Sequence, residues 1–176
     1  MQIKLLLLML VVITALAGCG GSGPNPKPQP PEPAPPPSAV ASCSEAATGS
    51  SPNWRQGATT VGSFGLAGPG RDFHWSGVQR QKSGQYISKV PAVANGTTPV
   101  LLRVPRSERG RVGLDYGDLW TVHSINDAQS AVTFRPCRDR PNTAWPGGLA
   151  LKNRRPITLE VEIGGGQTGS LQIGTG

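Results

Sequence analysis

The stretch Gln85-Tyr86-Ile87-Ser88-Lys89-Val90-Pro91-Ala92-Val93-Ala94-Asn95-Gly96-Thr97-Thr98-Pro99-Val100-Leu101-Leu102-Arg103-Val104 decides the fold class. Two arms with strand-type composition flank Asn95-Gly96. That pair is the strongest short-range hairpin signal, because both central residues of the turn take positive φ. A hairpin with arms Gln85–Ala94 and Thr97–Val104 is therefore expected. Proline cannot donate to a ladder, so Pro91 and Pro99 in the arms predict edge positions or bulges.

Strand signals continue on both sides. Thr59 to Leu66 alternates, and so does Arg111 to Tyr116, where Val112, Leu114 and Tyr116 face one way. Leu119–Ile125, Ala131–Arg135, Leu149–Lys152, Ile157–Ile163 and Ser170–Ile173 follow, separated by Gly, Pro, Asn and Asp clusters. Gly164-Gly165-Gly166 lies between two strands and reads as a hairpin loop, not a phosphate-cradling strand-to-helix turn. No window after residue 42 has a helical apolar stripe. Many short strands at regular spacing predict an all-β, antiparallel β-sandwich of immunoglobulin-like or related type, over residues 43–176.

Upstream the composition changes. Pro24 to Pro37 holds nine of the eighteen prolines. Fixed φ and extended neighbours make this a polyproline II spacer of about 3.1 Å per residue. Residues 19–42 are therefore read as a disordered linker. Before it, Met1–Lys4 is a short positive start and Leu5–Ala17 an apolar run broken only by Thr14. A helix over that run spans roughly 20 Å, short of the ~30 Å hydrocarbon core. It reads as a removable export signal over residues 1–18. The ending Leu16-Ala17-Gly18-Cys19 resembles the lipobox of bacterial lipoproteins. That resemblance implies cleavage before Cys19 and a diacylglyceryl group on its thiol, which makes Cys19 the lipidated first residue, with palmitate as an expected acyl chain. The expected location is the outer face of the cell membrane, with the lipid anchor as the membrane partner.

With Cys19 assigned to lipid, Cys43 and Cys137 remain as an even pair in an oxidising compartment. A disulfide between them closes a loop of about 95 residues and contributes roughly 4 kcal/mol in the chain-entropy model. Two free thiols or a metal site are the alternatives. Structural metals usually take four ligands, and no Cys-x-x-Cys or His-x-x-His spacing exists.

Catalytic patterns are thin. His74 and His123 are the only histidines, and Asp72, Asp115, Asp118 and Asp127 offer carboxylates. Triads are defined by geometry, and no Gly-x-Ser-x-Gly elbow or other nucleophile signature is present. Glu160/Glu162 and Asp115/Asp118 are candidate acid pairs of the glycosidase kind. Glu160 and Glu162, however, alternate with Leu159, Val161 and Ile163, like the wet face of a strand. No catalytic residue, cofactor or metal is assigned.

Charge carries more. Residues 43–176 hold 15 Lys and Arg against 9 Asp and Glu. Arg103, Arg106, Arg109 and Arg111 fall close together, as do Arg135, Arg138 and Arg140, and Arg154-Arg155 are adjacent. These predict a basic patch for an anionic envelope polymer or lipid, weakened by salt. An envelope protein is the other partner considered. Nucleic acid is disfavoured by compartment, and a monomer is expected.

The order Gly57–Gly65, Tyr86–Pro91, Thr98–Pro105, Arg109–Gly117, Ala131–Cys137, Trp145-Pro146-Gly147-Gly148 and Pro156–Val161 resembles a family of small exported or lipid-anchored bacterial proteins of actinobacterial type. The resemblance covers most of residues 57–163 and implies fold class and compartment, with no catalytic residues. That family's pattern often has a cysteine just before the last Leu-Glu-Val strand. Here Arg155-Pro156 stands there, so the resemblance leaves Cys43 as the partner of Cys137. The expected function is a non-catalytic binding or accessory module. The alternatives are an envelope hydrolase using His74 or His123, or a docking partner of a membrane system presenting Trp54, Trp75 or Trp145.

Overall fold

The computed structural model describes residues 38–48, 53–68, 78–117 and 124–174. His74, Trp75, Asp118, His123 and most of the expected strand Leu119–Ile125 lie outside them, as do Cys19 and the proline-rich segment. The described residues form thirteen strands and no α-helix: β1 Ala39–Ala41, β2 Thr59–Val61, β3 Phe64–Leu66, β4 Gln79–Arg80, β5 Tyr86–Lys89, β6 Ala92–Asn95, β7 Val100–Arg103, β8 Val112–Tyr116, β9 Ala131–Phe134, β10 Asn142–Trp145, β11 Gly147–Leu151, β12 Ile157–Ile163 and β13 Gln167–Ile173. One sheet runs β1-β9-β7-β12-β13, a second β10-β6-β3-β2, and a third β4-β5-β11-β8. The fold is all-β and sandwich-like.

The second and third sheets share one ladder. β10 pairs with β6 and β11 with β5, in a register that continues without slip from Trp145↔Ala92 to Gly148↔Lys89. Pro146 and Pro91 therefore face each other where the ladder bends. Neither has an N–H to give, so pairing lapses at that rung and resumes where Val90 N donates to Gly147 O at 2.9 Å.

This arrangement corrects the expected hairpin. Gln85–Ala94 is two strands in two sheets, and β6 pairs with β3 and β10, never with β7. β7 pairs with β9 and β12. Only Gly96 takes positive φ, and Asn95 does not, so Asn95-Gly96 hands the chain from one sheet to another instead of closing a type I′ turn. Pro91 marks the bend and Pro99 precedes β7. Thr59–Leu66 is likewise not one strand. It folds back at Gly62-Ser63, with Gly62 at φ 53, the positive first position that a II′ turn requires.

Other expectations hold. Gly164–Gly166 closes the β12–β13 hairpin. Ile157, Leu159, Val161 and Ile163 are buried while Glu160 is exposed. β1 runs parallel to β9, and its Ala41 is fully buried. Phe134 centres the core, with its ring 5.2 Å from Phe64, 5.2 Å from Tyr116 and 5.0 Å from Trp145. Trp145 donates to Ser42 O at 2.8 Å, just before a disulfide joins Cys43 to Cys137. Among the described residues the core cluster runs from Ala41 to Ile173. Residues 38–176 therefore hold a hydrophobic core of their own.

Candidate functional site

Strand register decides where the arginines go. Arg103 ends β7 opposite Ala131, and Arg135 follows Phe134 at the far end of β9. Both are on the outer face of the five-stranded sheet, but four residues apart, about 14 Å at ~3.4 Å per residue. Arg103 also lies opposite Glu160 and pairs with Glu162 at 3.5 Å, so its charge is offset. These three residues line a shallow groove of about 380 Å³ with Leu101, Thr168 and Ser170. Glu162 is thus the ion partner of an arginine across the sheet, and Glu160 is that arginine's neighbour in register.

Arg111 has a structural role. It pairs with Glu108, donates to Pro156 O at 2.9 Å and to Asn153 Oδ1 at 3.3 Å. Glu108 also accepts from Thr158 N at 3.4 Å. Through this pair the start of β8 is fixed to the start of β12, so the first and third sheets share one end. At that end the register also gathers Arg80 beside Tyr86, the turn holding Lys82, and Lys152 after β11, whose N–H donates to Arg111 O at 2.8 Å. Arg106, Arg109 and Arg155 are exposed there, and Arg154 lies over the Tyr86 ring while donating to Val78 O. Among the described residues, Glu108 and Asp127 are the carboxylates interspersed among them. Arg135, Arg138 and Arg140 belong to the opposite end with the disulfide, and Arg140 donates to Ala47 O at 3.1 Å. The structure divides the seven candidate arginines into two groups. The β1 register, Ala39↔Val132, puts the start of β1 at the end with Arg106 and Arg109.

Sequence reasoning missed Arg80, Lys82 and Lys152 as members of this end. The run Lys152-Asn153-Arg154-Arg155 was the available signal, but no local pattern shows that it lies beside Arg109.

The aromatic docking candidates fare differently. Trp145 is fully buried and Trp54 is 6% exposed, with Arg55 stacked on its ring at 4.9 Å. Neither is an exposed docking residue. Trp54 borders a mostly apolar hollow with Pro91, Val93, Ala144 and Pro146. Asp115 is buried in β8. Tyr116 donates to Val90 O at 2.6 Å. Burial, and then the neighbouring Asp115 charge, hold its hydroxyl far above the usual tyrosine range, so it is neutral and structural.

No family model, curated protein or solved structure matches this chain. Among the described residues no helix is long and apolar enough to cross a membrane.

Proposed function

We propose that this protein is an exported lipoprotein, acylated at Cys19 and held on the outer face of the cell membrane. Its sandwich is a non-catalytic module that binds a phosphate-bearing anionic component of the envelope. One observation carries this reading: exposed Arg106, Arg109, Lys152 and Arg155 gather at one end of the sandwich, the end where β1 begins. Cations clustered on one end raise the local concentration of anionic partners far more than the same charges dispersed. The lipobox resemblance and the likeness to small exported bacterial lipoproteins support the same compartment.

The test is co-sedimentation of residues 38–176 with vesicles. Binding to phosphatidylglycerol-containing vesicles that falls steeply with salt, and none to phosphatidylcholine alone, supports the reading. Equal binding to both, or to neither, overturns it. For the anchor, Cys19→Ser must release the full chain from the membrane fraction. A product that still partitions with membranes contradicts acylation there.

A further inference from the structure

At the basic end a cleft of about 390 Å³ opens between three turns and the residue after β11. Ser83 and Gly84 come from the first turn, Gly110 from the second and Asn126 from the third, with Lys152 beside them. The turns are held together: Ile125 N donates to Gln85 Oε1 at 2.7 Å, and Gly84 N to Gln81 O at 2.9 Å. What they leave over is a set of donors. The backbone N–H groups of Ser83, Gly110 and Asn126 make no hydrogen bond among the described residues, and neither do the Ser83 hydroxyl, the Asn126 amide or the Lys152 ammonium. The Arg80 guanidinium is next to Gly84, 3.9 Å from the place a Cβ would take. The nearest carboxylate in sequence, Asp127, accepts from the Ser124 hydroxyl at 2.8 Å.

We infer that this cleft is a binding site for a phosphate group and the organic moiety that bears it. The inference rests on the reading of the basic end given above and sharpens it from a charged surface to a site. A phosphate offers several strong acceptor oxygens and up to two charges, matching a donor-rich cleft with a lysine and an arginine at its rim. A carboxylate would leave most of these donors unused. The volume is at the small end of ligand pockets and exceeds a bare ion, leaving room for a headgroup or ester.

The experiment is an amide NMR titration of residues 38–176 with inorganic phosphate against chloride at matched ionic strength. Saturable shifts at Ser83, Gly110 and Asn126, weakened at least tenfold in Lys152→Glu and within twofold of the parent in Arg138→Glu, support the site. Scattered shifts over all arginines, or a response unchanged by Lys152→Glu, overturn it. Lys152 is exposed, so the variant keeps the fold; Lys152→Gln provides a second, milder change expected to fall between. Phosphatidic acid vesicles that displace phosphate assign the site to lipid headgroups. Vesicles that leave bound phosphate in place assign it to a soluble or polymer-borne phosphate, and either result supports the cleft. Vesicle binding with a silent cleft overturns the cleft while the broader reading stands. Phosphate binding without vesicle binding does the reverse for a lipid surface.

Discussion

Pro91 and Pro146 face each other across one rung of the ladder that β5 and β6 form with β11 and β10. Their shared lack of an N–H lets a single two-stranded ribbon turn the corner from one sheet into the next. Tyr116 secures that corner, because its hydroxyl takes the Val90 carbonyl beside the rung. Tyr116→Phe leaves this carbonyl buried without its donor and is expected to cost about 1–3 kcal/mol. Chemical denaturation checks it, and an unchanged midpoint contradicts the role.

The two glycines after Pro146 follow from the same corner. A Cβ on Gly148 would lie 2.1 Å from Ser88 O, and one on Gly147 2.2 Å from the Tyr116 ring. Backbone cannot yield as a side-chain tip can, so Gly148→Ala is expected to lose about 3 kcal/mol or more. Gly166→Ala, where nothing lies within 4 Å, stays within about 0.5 kcal/mol. Thermal unfolding of the pair separates close approach from a general intolerance of alanine.

Tyr116 also sets an alkaline limit. Its proton is held more tightly folded than unfolded, so its contribution to stability is complete below the unfolded tyrosine range near pH 10 and declines as pH rises above it. Phenolate absorbance from Tyr116 is expected only when the fold is lost. Ionisation of both of the chain's tyrosines in still-folded protein would contradict this.

The disulfide spans 94 residues and closes the end of the sandwich opposite Arg106 and Arg109. Cys43→Ser with Cys137→Ser is expected to lower stability by about 4 kcal/mol. Guanidinium titration of oxidised and reduced protein measures the difference.

Much of the fold was legible because alternation reports burial directly. Val112–Tyr116, Ala131–Phe134 and Ile157–Ile163 are strands where the apolar pattern put them, and Cys43 and Cys137 form the expected pair. The Asn95-Gly96 hairpin failed for a physical reason. A turn signal gives the local backbone bend but not which sheet the next strand joins, and Pro91 had already redirected the chain. The candidate site was half legible. Arg106 and Arg109 were singled out, whereas Lys152, Ser83 and Asn126 reach the same end through pairings over long sequence separations. Arg103 and Arg111 looked equivalent to their neighbours until register put Glu162 and Glu108 against them.

The most direct measurement compares charge reversal at the two ends of the sandwich. Vesicle co-sedimentation of Arg106→Glu/Arg109→Glu/Arg155→Glu is set beside Arg135→Glu/Arg138→Glu. The first is expected to abolish salt-sensitive binding to anionic vesicles and the second to leave most of it. Equal losses from both, or a loss confined to the second, would contradict a partner-binding end at Arg106, Arg109 and Arg155.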